Sequence, residues 1–382
     1  MNDPYPLYMD LDVINNDFGS ASKPQLRFEE TRNTPYLPGD SADYFCSIIR
    51  FNIQTGNSLP VFIPRILTGQ SNVNTTIYTV SFKYGSVKIT VPVVYEPEDL
   101  TAPAPAPPTV RQDTSTSYYF VFNYQHFINL VNKAIETAWL SLPSLLGSTW
   151  SSAFGNAVTP FLDFDVSTNR VILSTDERLG KSVGATPNNF LELRFNERLY
   201  ELFAGLPSRL AREDGETYYR INIVDRIYNR YVHKVIPAVG DPVTTTMLHV
   251  YQEMSSIALW NPVSSIVFAS SLLPIVPTQT SAPKDLGGNN LVSGGNNSNL
   301  LPTLSDFSIA VDANNQYRPM VEYNPGAENR LIDMNSTMNL NRIDIIVYWK
   351  GRDGVLHPFQ LQPGCAASVK LMFRRRDFNV FQ

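Results

Sequence analysis

Asp163 and Asp165 stand two apart in Phe161-Leu-Asp-Phe-Asp165. In a strand that spacing puts both carboxylates on one face. Paired carboxylates can hold a cation or share the work of a general acid and a general base. A solvated strand face with Leu162 and Phe164 turned inward explains the same letters, and a lone Asp-x-Asp does not outweigh it. Asp10 with Asp12, and Glu192 with Glu197, are weaker versions of the same pattern. The four histidines, His126, His233, His249 and His357, have no metal-ligand spacing. His-Glu-x-x-His, paired Cys-x-x-Cys, phosphate-loop and Gly-x-Gly-x-x-Gly signatures are missing from the sequence. No catalytic, cofactor-binding or metal-binding residue is assigned, and the chain reads as a protein that is not an enzyme.

Composition points to a surface rather than a reaction. Charged residues make up 17% of the 382 positions, below the typical ~25%. Aromatics reach 12% and prolines number 28, which suits strands joined by long polar loops and covered by neighbours. A net charge of −5 argues against a polyanion as main partner. The one basic cluster, Lys370 with Arg374, Arg375 and Arg376, closes a strand and reads as a solvated or interface-facing edge. Cys46 and Cys365 are too few for a disulfide framework or a metal cluster; two buried free thiols are the favoured reading, with one disulfide between them as the alternative. No apolar run reaches the ~20 residues of a membrane-spanning helix. Met-Asn-Asp-Pro-Tyr-Pro lacks the basic start and apolar core of a signal peptide, so an intracellular, reduced place of synthesis is expected.

The elements that would build such a surface are mostly strands. Period-2 alternation predicts them over 44–52, 61–67, 75–84, 86–94, 117–122, 161–166, 170–174, 191–195, 218–224, 247–253 and 266–273. Near the C-terminus, Ile343, Ile345 and Val347 alternate with polar or outward positions, and Gly351-Arg-Asp-Gly354 predicts a hairpin turn. Val369, Leu371 and Phe373 alternate in a last strand. Phe127, Leu130, Val131, Ala134 and Ala138 recur at helical spacing, predicting one amphipathic helix over 124–142 that Pro143 ends. Asn196 predicts the cap of a short helix over 197–204. Residues 101–108 read as a polyproline-II spacer. Residues 287–299 read as a Gly/Asn-rich surface loop. Trp260, Trp349, Tyr348 and Phe359 could form a sugar or base platform, but without interleaved basic residues core packing is the better reading.

Certain stretches carry a resemblance. Gln252-Glu-Met-Ser-Ser-Ile-Ala-Leu-Trp-Asn-Pro-Val263 is followed by Ser264-Ser-Ile-Val-Phe-Ala-Ser-Ser-Leu-Leu-Pro274. The chain ends with Ile343-Asp-Ile-Ile-Val-Tyr-Trp-Lys-Gly-Arg-Asp-Gly-Val-Leu-His-Pro-Phe359 and Val369-Lys-Leu-Met-Phe-Arg-Arg375. Over residues 118–378 this resembles the penton (vertex) capsid proteins of polinton-, adintovirus- and virophage-like double-stranded DNA viruses, with adenovirus penton base as a distant relative. The resemblance implies an upright jelly roll, an insertion domain on the outer side, and five copies around a vertex. The integrin-binding tripeptide of the adenovirus protein has no counterpart here.

The expected architecture is therefore all-β, a jelly-roll sandwich with a large insertion containing one amphipathic helix. Its expected divisions are an extended arm at 1–43, first jelly-roll strands at 44–116, an insertion at 117–245 and the remaining strands at 246–382. The expected function is a non-enzymatic structural capsid protein of an icosahedral virus, forming a homopentamer and located in the virion. A double jelly-roll major capsid protein, or a receptor- or carbohydrate-binding fibre or tail protein, are the alternatives. Tyr5, Leu7, Tyr8, Met9, Leu11, Val13 and Ile14 form two apolar clusters between prolines and polar residues, and are the expected contacts of an arm with neighbouring major capsid proteins. A host receptor or fibre is a further expected partner. Direct genome binding is not expected.

Overall fold

A computed structural model describes residues 6–19, 23–181, 190–223, 231–236, 245–276, 278–279, 300–309, 320–323 and 330–376. The expected loop at 287–299 and Tyr5 lie outside these residues. The chain forms two compact units. One comprises Met1–Leu59, Pro262–Val311 and Asn315–Gln382. The other comprises Pro60–Asn261 and Asp312–Asn314.

The first unit is a sandwich of eight principal strands: β1 (Leu7–Ile14), β2 (Arg27–Thr31), β3 (Tyr44–Gln54), β4 (Val263–Ala269), β5 (Thr303–Ser308), β6 (Met320–Tyr323), β7 (Arg342–Gly351) and β8 (Ala366–Arg375). One antiparallel sheet runs β1-β8-β3-β6 and the other β5-β4-β7-β2. Two interleaved Greek keys of this order make a jelly roll. Among the described residues the second unit interrupts it between β3 and β4.

Alternation explains why these runs become strands. Ile343, Ile345, Val347 and Trp349 of β7 turn inward and are all buried, as are Val369, Leu371 and Phe373 of β8. The two sheets meet in a ring cluster. Phe51 of β3 lies 4.9 Å from Phe268 of β4 and from Phe307 of β5, and 5.6 Å from Tyr323 of β6. Edge and tilted ring contacts of this kind add to the area they bury. The expected turn at Gly351-Arg-Asp-Gly354 forms: Gly351 N–H donates to the Val355 carbonyl at 2.8 Å, and Gly354 takes φ +79°. Leu356–Pro358 then pairs back onto β7.

The second unit holds the Tyr124–Leu146 helix against two sheets of a different order. A five-stranded sheet runs Val87–Val94, Thr75–Tyr84, Glu192–Asn196, Glu216–Ile221, Ser208–Glu213. A four-stranded sheet runs Val232–Val235, Met247–Tyr251, Arg170–Asp176, Phe161–Asp165. No second jelly roll is present among the described residues. Residues 60–116, which the sequence pattern groups with the sandwich, belong to this unit because the Thr75–Tyr84 strand pairs with Glu192–Asn196.

Some local expectations need correction. Residues 61–67 and 117–122 are not strands. Only the bridges Phe62↔Val121 and Ile66↔Thr76 form, because Pro64 lacks the amide a ladder needs and Ser117–Tyr119 turns into a 3-10 helix capped by Thr116. Pro143 does not end the main helix. It removes the bond to the Trp139 carbonyl, yet one further turn follows, closed by Gly147 at φ +51°. The Asn196 cap forms as expected, accepting the Leu199 amide at 3.0 Å.

Candidate interaction surface

The expected arm residues lie in β1, which pairs with β8 along its whole length from Leu7↔Phe373 to Ile14↔Ala366. Met9 and Leu11 are buried in the sandwich, and Leu7 and Val13 share their inward side. The reason is legible afterwards: Leu7, Met9, Leu11 and Val13 are apolar at strict period 2, a pattern that can bury one face without any partner. Asn15 then pins the end of β1, its amide donating to the Cys365 carbonyl at 3.0 Å and its side chain to the Leu361 carbonyl at 2.7 Å. Tyr8 and Ile14 point the other way, 57% and 62% exposed, and Phe18 just beyond is 75% exposed.

The outward side of this sheet joins those apolar groups to a charge ladder. Asp10 accepts from Arg50 of β3 and from Lys370 of β8, each at 3.0 Å, and the Lys370 ammonium lies 5.6 Å over the Tyr8 ring. Asn52 donates to Glu322 at 3.3 Å. The basic cluster at the end of β8 has partners within the unit as well. Arg376 pairs with Asp333 at 3.1 Å and donates to the Met334 carbonyl at 2.7 Å, and Arg375 lies 4.0 Å from Asp43. Among the described residues β1 also ends its sheet, and an edge strand is the kind of surface a further strand can join.

The residues that could do chemistry are committed elsewhere. Asp165 accepts from the Ser167 hydroxyl at 2.6 Å and the Thr168 hydroxyl at 2.7 Å, bonds that hold its carboxyl below the usual range and make it a turn residue. Asp163 accepts the amide of Phe164 at 2.8 Å. His233 and His249 face each other across two strands, with Tyr251 5.0 Å from the His233 ring. Burial, then His233, lowers the His249 pKa, opposed by Asp163. His357 stacks on Trp349 at 3.8 Å, and the His126 ring lies 2.8 Å from the Glu96 carbonyl. Among the described residues no group of three His, Cys, Asp or Glu side chains could hold a metal. Cys46 is buried, which pushes its thiol up to about 12, and Cys365 is half-buried; neither forms a disulfide. Trp260, Trp349 and Phe359 are core residues, as the packing reading expects. No described helix is long and apolar enough to cross a membrane.

Sequence reasoning missed two polar keystones inside the stretches that carry the resemblance. Asp344 of β7 has a fully buried carboxylate that accepts from Ser270 Oγ (2.7 Å), Ser271 N (2.9 Å), Ser271 Oγ (2.6 Å), Leu272 N (2.8 Å) and Arg27 Nη2 (3.1 Å). Gln252, also fully buried, accepts the Val171 amide at 2.6 Å and donates to the Ala204 carbonyl at 2.9 Å and to Ser256 Oγ at 3.0 Å. Ser256 and Trp260 both donate to the Leu202 carbonyl at 2.6 Å. The only signal in the sequence was a charge set among isoleucines and an amide ahead of a Ser-Ser pair.

Comparison with known proteins gives these geometries a context. The family described as Sputnik minor capsid protein V18/19 matches residues 7–375. Protein V18 of Sputnik virophage, uncharacterized by name, is 31% identical over 152 residues, 38% of this chain and 89% of its own length. Structural protein V19 of the same virus is 26% identical over 134 residues, 35% of this chain and 58% of its own length. A chain in the cryo-EM structure of the Sputnik virophage superposes with a TM-score of 0.80 at 24% identity, covering 98% of this chain and 99% of that one. The mavirus penton protein superposes with a TM-score of 0.59 at 14% identity, covering 97% and 99%. These superpositions establish the shared fold.

Proposed function

The chain belongs to the Sputnik minor capsid protein V18/19 family and is a structural protein of a virion capsid, and on that premise we propose that it is the homopentameric penton subunit. The observation that carries the reading is architectural: among the described residues, a single jelly roll opened between β3 and β4 by a large second unit. The likeness to the mavirus penton protein across 97% of the chain supports it. A low charged fraction and abundant aromatics suit subunits that cover one another in a ring. The protein works by contact and carries out no catalysis. It leaves genome neutralisation to other proteins, and assembles inside the host cell after synthesis in the cytoplasm.

Its partners in this reading are four further copies of itself and the neighbouring major capsid proteins. The latter contact falls to the outward side of β1, where Tyr8 and Ile14 flank the Asp10 ladder, with Phe18 beside it. The second unit is the part available to a host receptor or fibre. Mass photometry of the purified protein tests the central claim. A dominant species of five 42.9 kDa chains is expected. A stable trimer, or a monomer at micromolar concentration, overturns it.

A further inference from the structure

The five-stranded sheet of the second unit has one face in the core and one that is polar. On the polar face, Thr79 and Ser81 of one strand, Thr90 of the next, and Asn196 and Tyr218 beyond line a groove of about 360 Å³. That size sits at the lower end of small-molecule sites, ~300–1,000 Å³, and limits an occupant to one or two sugar-sized rings.

The groove is built before any ligand arrives. Asn196 accepts from the Thr79 and Leu199 amides and donates to the Ile77 carbonyl at 2.7 Å, so its side chain cannot turn. Tyr218 is held by its hydroxyl bond to Glu213 at 3.1 Å and by the Arg194 guanidinium 4.1 Å over its ring. Arg194 is itself buried between Glu192 and Glu213. Ser81 and Thr90 hydroxyls meet at 2.9 Å, a bond that uses one hydroxyl hydrogen and one lone pair and leaves the pair further donor and acceptor capacity.

The charges in the lining select the ligand. Lys88 and Arg198 line the groove with Glu197 and Glu216, giving no net charge; Lys88 is tied to Glu216 at 3.1 Å and Arg198 to Glu201 at 3.2 Å. A phosphate or sulfate would meet two carboxylates and two cations that are already paired. A purely apolar molecule would meet hydroxyls and amides and strip them of water. A polyol, in which each hydroxyl both donates and accepts, matches a lining that does the same. We propose that this groove binds a neutral glycan. The proposal concerns a single chain and goes beyond the capsid role, so it stands whether or not the pentamer reading does.

The test uses the full chain as purified, on an array carrying neutral galactose-, mannose- and N-acetylglucosamine-terminated glycans beside sialylated and sulfated ones. Neutral hits are expected, and calorimetric titration with the strongest of them gives the affinity. Ser81→Ala with Thr90→Val removes two hydroxyls and should weaken binding by about tenfold. Thr79→Trp, half-buried in the lining on the same face as Ser81, should abolish it by filling the groove, at the parental thermal midpoint. If the double variant does not fold, Thr79→Trp alone decides. Hits confined to sialylated or sulfated glycans, no hits at all, or undiminished binding by Thr79→Trp each overturn the assignment.

Discussion

Asp344→Ala should be among the most damaging single substitutions in the sandwich. The carboxylate is fully buried and gathers five donors, two of them the backbone amides of Ser271 and Leu272. Alanine leaves the Ser271 amide without its acceptor and the Leu272 amide with only its longer bond to Ser270 Oγ at 3.2 Å. Each stranded buried donor costs ~1–3 kcal/mol. The serine hydroxyls can rotate to other acceptors, and Arg27, whose side chain is 43% exposed, can turn to water. The expected loss is therefore about 3–5 kcal/mol, a large share of the ~5–15 kcal/mol of a whole domain. Urea unfolding of the full chain, followed by tryptophan emission, reads it, with Trp349 lying in the same strand as Asp344. Asp306→Ala is the control. It breaks an exposed pair with Arg330 and should change stability by no more than ~0.5 kcal/mol. A loss below ~1 kcal/mol for Asp344→Ala refutes the reasoning, because the amides must then have found other acceptors.

The same site has a pH signature. Burial pushes the Asp344 carboxyl up, but the Ser271 and Ser270 hydroxyls and the Leu272 and Ser271 amides outweigh it and hold the pKa below the ordinary value. A carboxylate with a depressed folded-state pKa contributes stability that is complete above the unfolded value, ~3.9, and is lost as pH falls through the folded one. The stability gap between the parent and Asp344→Asn should be constant near neutrality and shrink below about pH 4. A gap that instead widens on acidification contradicts the assignment.

Other outcomes follow from the same contacts. Gln252→Leu should cost ~2–4 kcal/mol, by leaving the Val171 amide and the Ala204 carbonyl without their partner, measured by the same unfolding assay. Gly205→Ala should destabilise by more than ~1 kcal/mol, since φ is +96° and a Cβ would sit 2.9 Å from the Met254 carbonyl oxygen; a neutral result would mean that the turn relaxes freely. A thiol reagent at pH 8 should modify Cys365 alone in the folded protein and both thiols in urea, as burial pushes Cys46 up to about 12; two thiols reacting at native rates would contradict its burial. Tyr8→Ser with Ile14→Ser should leave the thermal midpoint within a few degrees of the parent but lower incorporation into particles, and normal incorporation removes β1 as a docking strip. Deleting residues 2–40 should prevent folding, because it removes β1 and β2 and uncovers Leu371 and Phe373; a folded truncated oligomer would show that six strands suffice.

What could be read from the letters was what period 2 and period 3.6 encode. β7, β8 and their hairpin turn announce themselves because one face of each strand is apolar at every second position and the turn supplies glycine where φ is positive. The helix was equally plain, except that a proline rule placed its end one turn early. The strands that went wrong, at 61–67 and 117–122, are apolar stretches in which Pro64 or the tyrosine hydroxyls of 118 and 119 redirect the backbone: Tyr118 bonds to Asn74 and Tyr119 to the Val73 carbonyl. Bonds between residues 44 and 46 positions apart are invisible to any local pattern. Asp344 and Gln252 fall in the same class, since a buried polar residue is defined by donors that arrive from distant chain segments.

The N-terminal strand shows why the interaction surface was harder to read than the fold. Prolines and polar residues around Leu7–Ile14 suggested a segment waiting for a partner, yet its alternation already specified a buried face. Both features are present at once. The inward row of Leu7, Met9, Leu11 and Val13 is consumed by β8 and the core, while Tyr8 and Ile14 remain exposed on a strand that ends its sheet among the described residues. An edge strand with exposed apolar side chains is an aggregation hazard in a free monomer. In the proposed shell subunit another protein covers the same strip, so the greasiness first read as an arm's belongs to the half of β1 that the sandwich does not bury.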